Sequence, residues 1–540
     1  MNLRVRLAAL LIPLAALSAF GQPGSQLRFC IRTDPKTLNP LMVIDDAGQT
    51  VRYLTGGVLL RLNRKTQQLE PALATAWKVS SNGRTITFTL RANVYFSDGT
   101  PFSAGDVAYT MERLMDPALH SPVGDSFRAG ADKVRAQMLG KNKIAITFPA
   151  AIVGLDKLFD QVAILSATSP RKEMAALGPY YLSENKPGAY ILLRRNPNYW
   201  KHDAAGRALP YIESIRLDIQ QNREIEMLRL MRGEIQFINS LDADNYDVVK
   251  ARAPEMAVDA GVGLDSEQIW FNQVASAPIA AYEKAWFTST RFRQAISESI
   301  NRADLARIVY RGHAQPAASW ISPANKVWFD RHLPPYRYDP NGALALLEQE
   351  GFRLKNGRLR DRAGHVVEFS VMTNAGNRSR ERMAAMIQQD LARIGVKLNV
   401  VTLDFPSLIE RITRTFNYEA CLLGFVNDDL DPDAQMTVWL SSAENHQWNP
   451  SQKTPATAWE AEIDRLMRLQ ASTLDVRKRK QAVDRVQEIV REQEPFIYLV
   501  NKEALAAVSP QVRNADPVAL QPQVYWNIDT LWMGSGGGKR

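Results

Sequence analysis

The sequence predicts an α/β protein with more than one hydrophobic core. The first half is rich in alternating strand patterns and has only short helical segments. After about residue 275, strands and helices alternate along the chain, which is typical of a largely parallel sheet. With 540 residues the chain is long enough for several cores.

In the first half, four segments alternate between apolar and polar side chains, as half-buried strands do. Asn82-Gly83 precedes one of them and is a hairpin turn signal. The apolar residues of Ala104 to Met115 predict a short helix. The four strand segments are residues 27–33, 84–91, 143–148 and 190–194.

In the second half, helix signals separate the strand segments. Asp339-Pro340 begins a helix that Gly351 ends. Apolar residues at helical spacing predict a helix over 380–394, and Gly395 stops it. We expect further helices at 406–415 and 475–494, and strands at 366–372, 397–403, 419–424 and 496–500.

Composition is that of a folded soluble protein, with 45% hydrophobic and 23% charged residues. Lys and Arg number 66 against 57 acidic residues, a formal charge of +9. The excess is spread along the chain, whereas nucleic-acid binding needs a clustered basic patch. We therefore expect no nucleic-acid partner.

The first 21 residues resemble an export signal. Arg4 and Arg6 precede an apolar run over 7–17, and Ala19-Phe20-Gly21 has a small-x-small cleavage pattern. No Cys stands at that position, so we expect no lipid anchor. The prediction is a periplasmic protein that starts near residue 22, a retained N-terminal anchor being the alternative.

The chain has two cysteines, Cys30 and Cys421. Both lie in apolar, strand-like segments far apart in sequence. We expect two buried free thiols, because two cysteines cannot form a disulfide framework.

The segment 420–433 has the strongest binding signal. An apolar strand ends at Gly424, Phe425 follows, and four carboxylates then occupy six positions. Ligands of open α/β sheets bind beyond the carboxyl ends of strands, so this loop could hold a cation beside a ring. A solvated acidic turn or a helix N-cap explains the same residues equally well. The carboxylates are Asp428, Asp429, Asp431 and Asp433.

A second loop, residues 374–380, follows the strand predicted at 366–372 and carries Arg378 and Arg380. A guanidinium fork suits a carboxylate, so Arg378 is a candidate for the anionic end of a ligand. The alternative is that both arginines face water at the start of a helix.

Enzyme motifs are missing from the sequence. There is no Gly-x-Ser-x-Gly elbow, His-Glu-x-x-His pair or phosphate-binding loop. The six histidines have no ligand spacing, and the acidic loop lacks the glycine and distal glutamate of an EF-hand. We expect no catalytic residue, metal or cofactor, although a carboxylate pair could serve a secreted hydrolase.

Nearly all of the chain after the signal resembles the extracellular solute-binding proteins of family 5, the peptide receptors of ABC importers. One long, specific motif runs from Val94 to Val107, and the acidic loop is similar to the family's Gly-Trp-x-x-Asp-x-x-Asp-Pro-Asp. The other matching segments are residues 34–40, 69–77, 178–180, 291–296 and 338–340.

This resemblance implies a periplasmic binding protein type II-like fold, in which two α/β lobes are joined by a two-segment hinge. The implied first lobe covers residues 22–271 and is enlarged by an inserted subdomain at about 72–185. The second lobe covers 272–495, and residues 496–540 return to the first lobe and end in a flexible tail.

The resemblance also implies roles for the loop residues. Asp428 matches the carboxylate that holds the ligand's ammonium, with Gly424 and Phe425 beside it, although Phe425 stands where the family usually has Trp. The implied protein is a monomer that binds short peptides, passes them to ABC permease subunits and catalyses nothing. A receptor for nickel chelates, opines or oligosaccharides is the alternative within the family.

Overall fold

The computed structural model describes residues 25–125, 127, 134–426 and 429–534, apart from the side chain of Glu173. The predicted export signal and Asp428 lie outside these residues. In the described part of the chain, no helix is both long and apolar enough to cross a membrane.

The first lobe contains two four-stranded sheets. One begins with a parallel pair, Gln26–Ile31 with Ser214–Ile219, and continues through Tyr190–Arg195 to Tyr180–Lys186. The other is antiparallel and lies within the predicted subdomain, whose limits stay a prediction. Its core includes Phe88, Phe96 and Phe159. Its strands, in spatial order, are Ala74–Val79, Thr85–Leu90, Lys143–Thr147 and Arg135–Gly140.

The second lobe is built on most of a seven-stranded sheet, which extends into the first lobe. Strands Lys397–Leu403, Glu368–Asn374 and Ala420–Phe425 are parallel neighbours, as the alternation of strands and helices predicts. Helices cover both faces of the sheet, because neighbouring strand residues point into two different cores: Val371 and Leu422 into one, and Met372 and Cys421 into the other. The α/β prediction is confirmed.

Two long strands, Ala257–Phe271 and Phe496–Val508, run antiparallel through both lobes. Their 257–259 and 505–507 ends pair with each other, and residues 505–508 also pair with Phe237–Leu241 of the first lobe. At the other end, Ile269 and Ile497 lie in the second-lobe core. Register shifts interrupt the pairing between residues 259 and 268, where the strands pass from one lobe to the other.

The predicted lobe limits at 271 and 495 stay predictions. The short strands are Leu60–Leu62 with Leu69–Pro71, Arg353–Lys355 with Arg358–Arg360, Val512–Arg513 with Trp532–Met533, and Ala314–Pro316 on the edge of the second of the two long strands. The α-helices of two turns or more are Asp46–Thr55, Ala104–Met115, Arg223–Met231, Ala243–Arg252, Ala281–Thr288, Thr290–Glu298, Pro340–Gln349, Arg378–Arg393, Ala458–Ser472 and Val476–Gln493.

Two predicted elements differ from the structure. The helix expected at 406–415 is α-helical over Phe405–Glu410 and continues as a π-turn to Thr415. The strand expected at 496–500 continues to Val508. Both cysteines are free thiols, but only Cys421 is buried, whereas Cys30 is half-buried.

Candidate ligand-binding site

A cavity of about 1500 Å³ lies between the lobes. Its lining comes from the helix Asp46–Thr55, the short strand Leu60–Leu62 and the 3-10 turn Lys157–Asp160 on the first-lobe side. The second lobe contributes Trp328 and the acidic loop. Small-molecule pockets usually measure about 300–1,000 Å³, so this space is large enough for a ligand of several residues.

The acidic loop begins where the strand Ala420–Phe425 ends, and Val426 and Asp429 line the cavity. Asp428 lies outside the described residues, so its ammonium-binding role stays a prediction. Gly424 has a packing reason to be glycine. A Cβ atom there would lie 2.6 Å from Arg380 Nη2 and 2.8 Å from both carboxylate oxygens of Glu267.

Asp431 is buried in the acidic loop between two cations. Its carboxylate accepts hydrogen bonds from Arg479 Nη2 at 2.5 Å and from Lys157 Nζ at 3.1 Å. Burial opposes the charge, but the Arg479 and Lys157 contacts hold the pKa of Asp431 below its usual range. Lys157 belongs to the first lobe, so this ion pair joins the two lobes across one side of the cavity.

The other two described carboxylates of the loop, Asp429 and Asp433, lack a cation of their own. Asp429 is open to the cavity but enclosed by surrounding protein, and this enclosure and the charge of Asp431 raise its pKa. Burial and Asp431 likewise raise the pKa of Asp433. The second-lobe wall of the cavity is therefore acidic, and a cationic group beside it would stabilise the charged form of these carboxylates.

Phe425 is half-buried, and its ring packs edge-on against Phe496 with 5.5 Å between the ring centroids. Both rings belong to a core cluster rich in tryptophan, including Trp439 and Trp448. Phe425 thus fixes the strand end from which the loop starts. Its predicted contact with ligand stays a prediction.

The two arginines of the second loop have different surroundings. Arg380 Nε donates to Glu267 at 2.8 Å and its Nη1 to Asn374 at 2.8 Å, so its charge is already matched. Arg378 is exposed at the first position of the helix Arg378–Arg393. Its neighbours Asn377 and Ser379 line the cavity, whereas Arg378 is not among the lining residues.

Sequence reasoning missed the basic wall opposite the acidic loop. Arg52, Arg61 and Arg64 form the arginine cluster, in which Arg61 and Arg64 contact the carboxylate of Asp160 and Arg52 lies within its electrostatic influence. Arg64 Nη2 lies 2.9 Å from this carboxylate, and Arg61 Nη1 lies 3.8 Å from it. Burial and the neighbouring guanidinium groups lower the pKa of Arg52 to about 10.

Tyr53 supports the arginine cluster. The guanidinium carbons of Arg61 and Arg64 lie 4.6 and 5.8 Å from the centroid of its ring, a cation–π arrangement. The Tyr53 hydroxyl donates to the carbonyl oxygen of Trp526 at 2.8 Å, which fixes the ring. Arginines 52, 61 and 64 carry no motif in the sequence, because what unites them is a carboxylate about a hundred residues away.

One cluster of metal-type donors lies where the long strands cross between the lobes. The Nδ1 atom of His313 is 3.5 Å from Glu503 Oε2 and 3.9 Å from Asp259 Oδ2. Its Nε2 atom contacts Asp247 Oδ1 at 3.1 Å. Asp259, His313 and Glu503 could hold a small cation, but the contacts of His313 with its neighbouring carboxylates account for the arrangement equally well.

Residues 68–447 match the family model for bacterial extracellular solute-binding proteins, family 5. A probable ABC transporter-binding protein from Deinococcus radiodurans is 26% identical and covers 88% of this chain and 87% of its own length. Di/tripeptide-binding protein 3 from Pseudomonas aeruginosa is also 26% identical, covering 89% and 90%.

Among solved structures, the ABC transporter substrate-binding protein CtaP from Listeria monocytogenes has the same fold, with a TM-score of 0.77. It is 21% identical and covers 95% of this chain and 100% of its own. The expected two-lobed, type II binding-protein fold is thus confirmed. With the family match spanning most of its length, the chain belongs to family 5 of the bacterial extracellular solute-binding proteins.

Proposed function

We propose that the protein is a periplasmic receptor that captures short peptides and delivers them to the permease subunits of an ABC importer, acting as a monomer and catalysing nothing. The observation that carries this proposal is the cavity between the lobes, with an acidic loop on one wall and an arginine cluster on the other. A peptide at neutral pH is a zwitterion, and burying it requires a partner for each charged end.

The acidic wall supports an ammonium site. Burial and the charge of Asp431 raise the pKa values of Asp429 and Asp433, so a cation beside them would favour their charged forms. Asp428 matches the family position for this role. We propose that Asp428 is the main carboxylate partner of the ligand's ammonium group, with Gly424 and Phe425 shaping the loop around it. Sequence similarity to a di/tripeptide-binding protein favours peptides over other cargo.

Isothermal calorimetry with di- to pentapeptides tests the proposal. Asp428→Asn keeps the side-chain shape but removes the charge, and should weaken binding by about 2–5 kcal/mol. Asp516→Asn is the matched control, because Asp516 pairs with Lys65 outside the cavity lining. N-acetylated peptides should bind poorly to the unmodified protein.

Mass spectrometry of the peptides after incubation separates a receptor from a secreted hydrolase. A receptor returns them whole, with a raised melting temperature of the protein, whereas peptides cleaved in proportion to time and protein concentration would refute the receptor class. Nickel chelates, opines or oligosaccharides that stabilise the protein when peptides do not would refute the peptide cargo alone.

A further inference from the structure

The arginine cluster carries more positive charge than its protein partners balance. Three guanidinium groups surround Asp160, whose Oδ1 also accepts a hydrogen bond from the backbone of Leu62 at 2.8 Å. Asp46 lines the cavity nearby, but within the described residues it has no ion pair with these arginines. A wall with this surplus attracts an anion from the cavity.

The three arginines differ in how far their donors are already used. Arg64 donates to Asp160, to the carbonyl of Gln521 at 2.8 Å and to that of Leu62 at 3.1 Å. Arg52 donates to the carbonyl of Gln161 at 2.6 Å. Arg61 has no hydrogen bond to any described residue, although its side chain is only 26% exposed. The Tyr53 ring packs against the guanidinium group of Arg61. The N–H donors of Arg61 remain unused by the described residues.

We propose that Arg61, with Arg52 and Arg64 behind it, forms an anion-binding subsite that takes a carboxylate of the ligand. Arg–carboxylate pairing is the strong, bidentate kind of hydrogen bonding. The low-dielectric wall formed by Tyr53 and Leu62 strengthens it.

The proposal rests on the peptide-binding function and gives the bound ligand a direction. Asp429 lies near enough to Arg64 for its charge to help raise the pKa of that arginine. The acidic loop and the arginine cluster therefore face a common space. A zwitterion with its ammonium at the acidic loop points its carboxylate toward Arg61 in the first lobe, so Arg378 in the second lobe is not required for this role.

Calorimetry on the full protein with Arg61→Gln tests the subsite. The probes are trialanine, trialanine amide and the amide of alanyl-alanyl-glutamate, which separate a terminal from a side-chain carboxylate. Loss of a charged hydrogen bond of about 1.5–3 kcal/mol corresponds to roughly 10- to 100-fold weaker binding. We expect this loss for the probe with the preferred carboxylate and no change for trialanine amide.

Two further variants sharpen the test. Arg61→Lys keeps the charge but loses the fork, and should fall between the wild type and Arg61→Gln. Arg358→Gln is the matched control, because Arg358 is exposed on a hairpin outside the cavity lining. Unchanged binding of trialanine and of the glutamate amide by a folded Arg61→Gln variant would overturn the subsite while leaving the peptide receptor intact.

Native mass spectrometry of the protein as purified distinguishes failure of the subsite from failure of the peptide function. If no peptide binds but an anionic non-peptide ligand is retained by the wild type and lost from Arg61→Gln, the peptide cargo is wrong and the subsite stands. Retention of an uncharged sugar by both proteins would overturn the subsite and the peptide cargo together.

Discussion

The two walls of the cavity differ in how many opposite charges surround each buried charge. On the acidic wall, Asp431 has a cation on each side, Arg479 from its own lobe and Lys157 from the other. On the basic wall, one carboxylate, Asp160, is shared among three arginines. The 3-10 turn Lys157–Asp160 contributes to both, with Lys157 facing one wall and Asp160 the other.

This difference separates structural charge from charge available to a ligand. Asp431 is fully matched within the protein, so its charge serves to hold the loop and to join the lobes. Arg61 shares Asp160 with Arg64 and makes no hydrogen bond to a described residue, so its N–H donors are available to a ligand.

The largest expected effect on stability comes from a substitution in the acidic wall. Asp431→Ala leaves the buried Arg479 with hydrogen bonds to Gln470 but without a carboxylate to balance its charge. The substitution should lower the free energy of unfolding by about 3–5 kcal/mol in urea denaturation. Asp433→Asn is the control and should cost well under half as much, because burial already raises the pKa of Asp433. Equal losses in the two variants would contradict a special role for Asp431.

The same variant has a pH signature. The folded-state pKa of Asp431 lies below its unfolded value of about 3.9. Its contribution to stability is therefore present at neutral pH and fades as the pH falls below about 4. The difference in stability between wild type and Asp431→Ala should shrink over that range.

Removing the carboxylate of the basic wall should lower stability, and a ligand should restore part of the loss. Asp160→Asn removes the only carboxylate in contact with the described arginine cluster and should cost about 1.5–3 kcal/mol of stability. Trialanine should raise the melting temperature of this variant more than that of the wild type, because its carboxylate replaces the lost charge. An equal or smaller shift would show that the walls do not differ in this way.

Gly424→Ala tests how tightly the acidic loop is tied to the second-lobe sheet. The added methyl group would displace the buried pair Arg380–Glu267, and overpacking of this kind costs about 1–3 kcal/mol. Gly105→Ala is the control, because Gly105 lies in the helix Ala104–Met115 with only the Ser103 hydroxyl nearby. It should be neutral or stabilising in the same thermal unfolding assay.

The smallest effect is expected for Lys157→Gln, which removes the ion pair between the lobes. Lys157 is 41% exposed, and pairs of this kind contribute about 0–1 kcal/mol. Stability should change little, but the ligand-free protein should show a larger mean radius of gyration in small-angle scattering. An identical scattering profile would show that other contacts keep the lobes together.

Local signals predicted the elements of the second lobe well. The helix Arg378–Arg393 and the strand Lys397–Leu403 follow directly from apolar spacing and from Gly395. Phe496–Val508 was predicted at less than half its length, and Ala257–Phe271 was largely missed. Their middle residues cross between lobes, so their side chains do not keep one alternating pattern.

The candidate site was predictable only where its residues are adjacent in sequence. The acidic loop is one such segment. The arginine cluster is assembled from a helix, a short strand and the turn that follows it, and a 3-10 turn from the distant segment that carries Asp160. Arg378 illustrates a different limit. Successive helical residues point about 100° apart, so Arg378 can lie outside the cavity lining although its neighbours Asn377 and Ser379 belong to it.

The order of strands in the spanning sheet has a consequence for how the chain is made. Phe496–Val508 lies between Phe237–Leu241 and Ala257–Phe271, although it is among the last elements to be synthesised. Until it is in place, both of these earlier strands lack a neighbour and expose unpaired backbone groups. Neither of these strands can therefore complete its pairing until the C-terminal region has been synthesised.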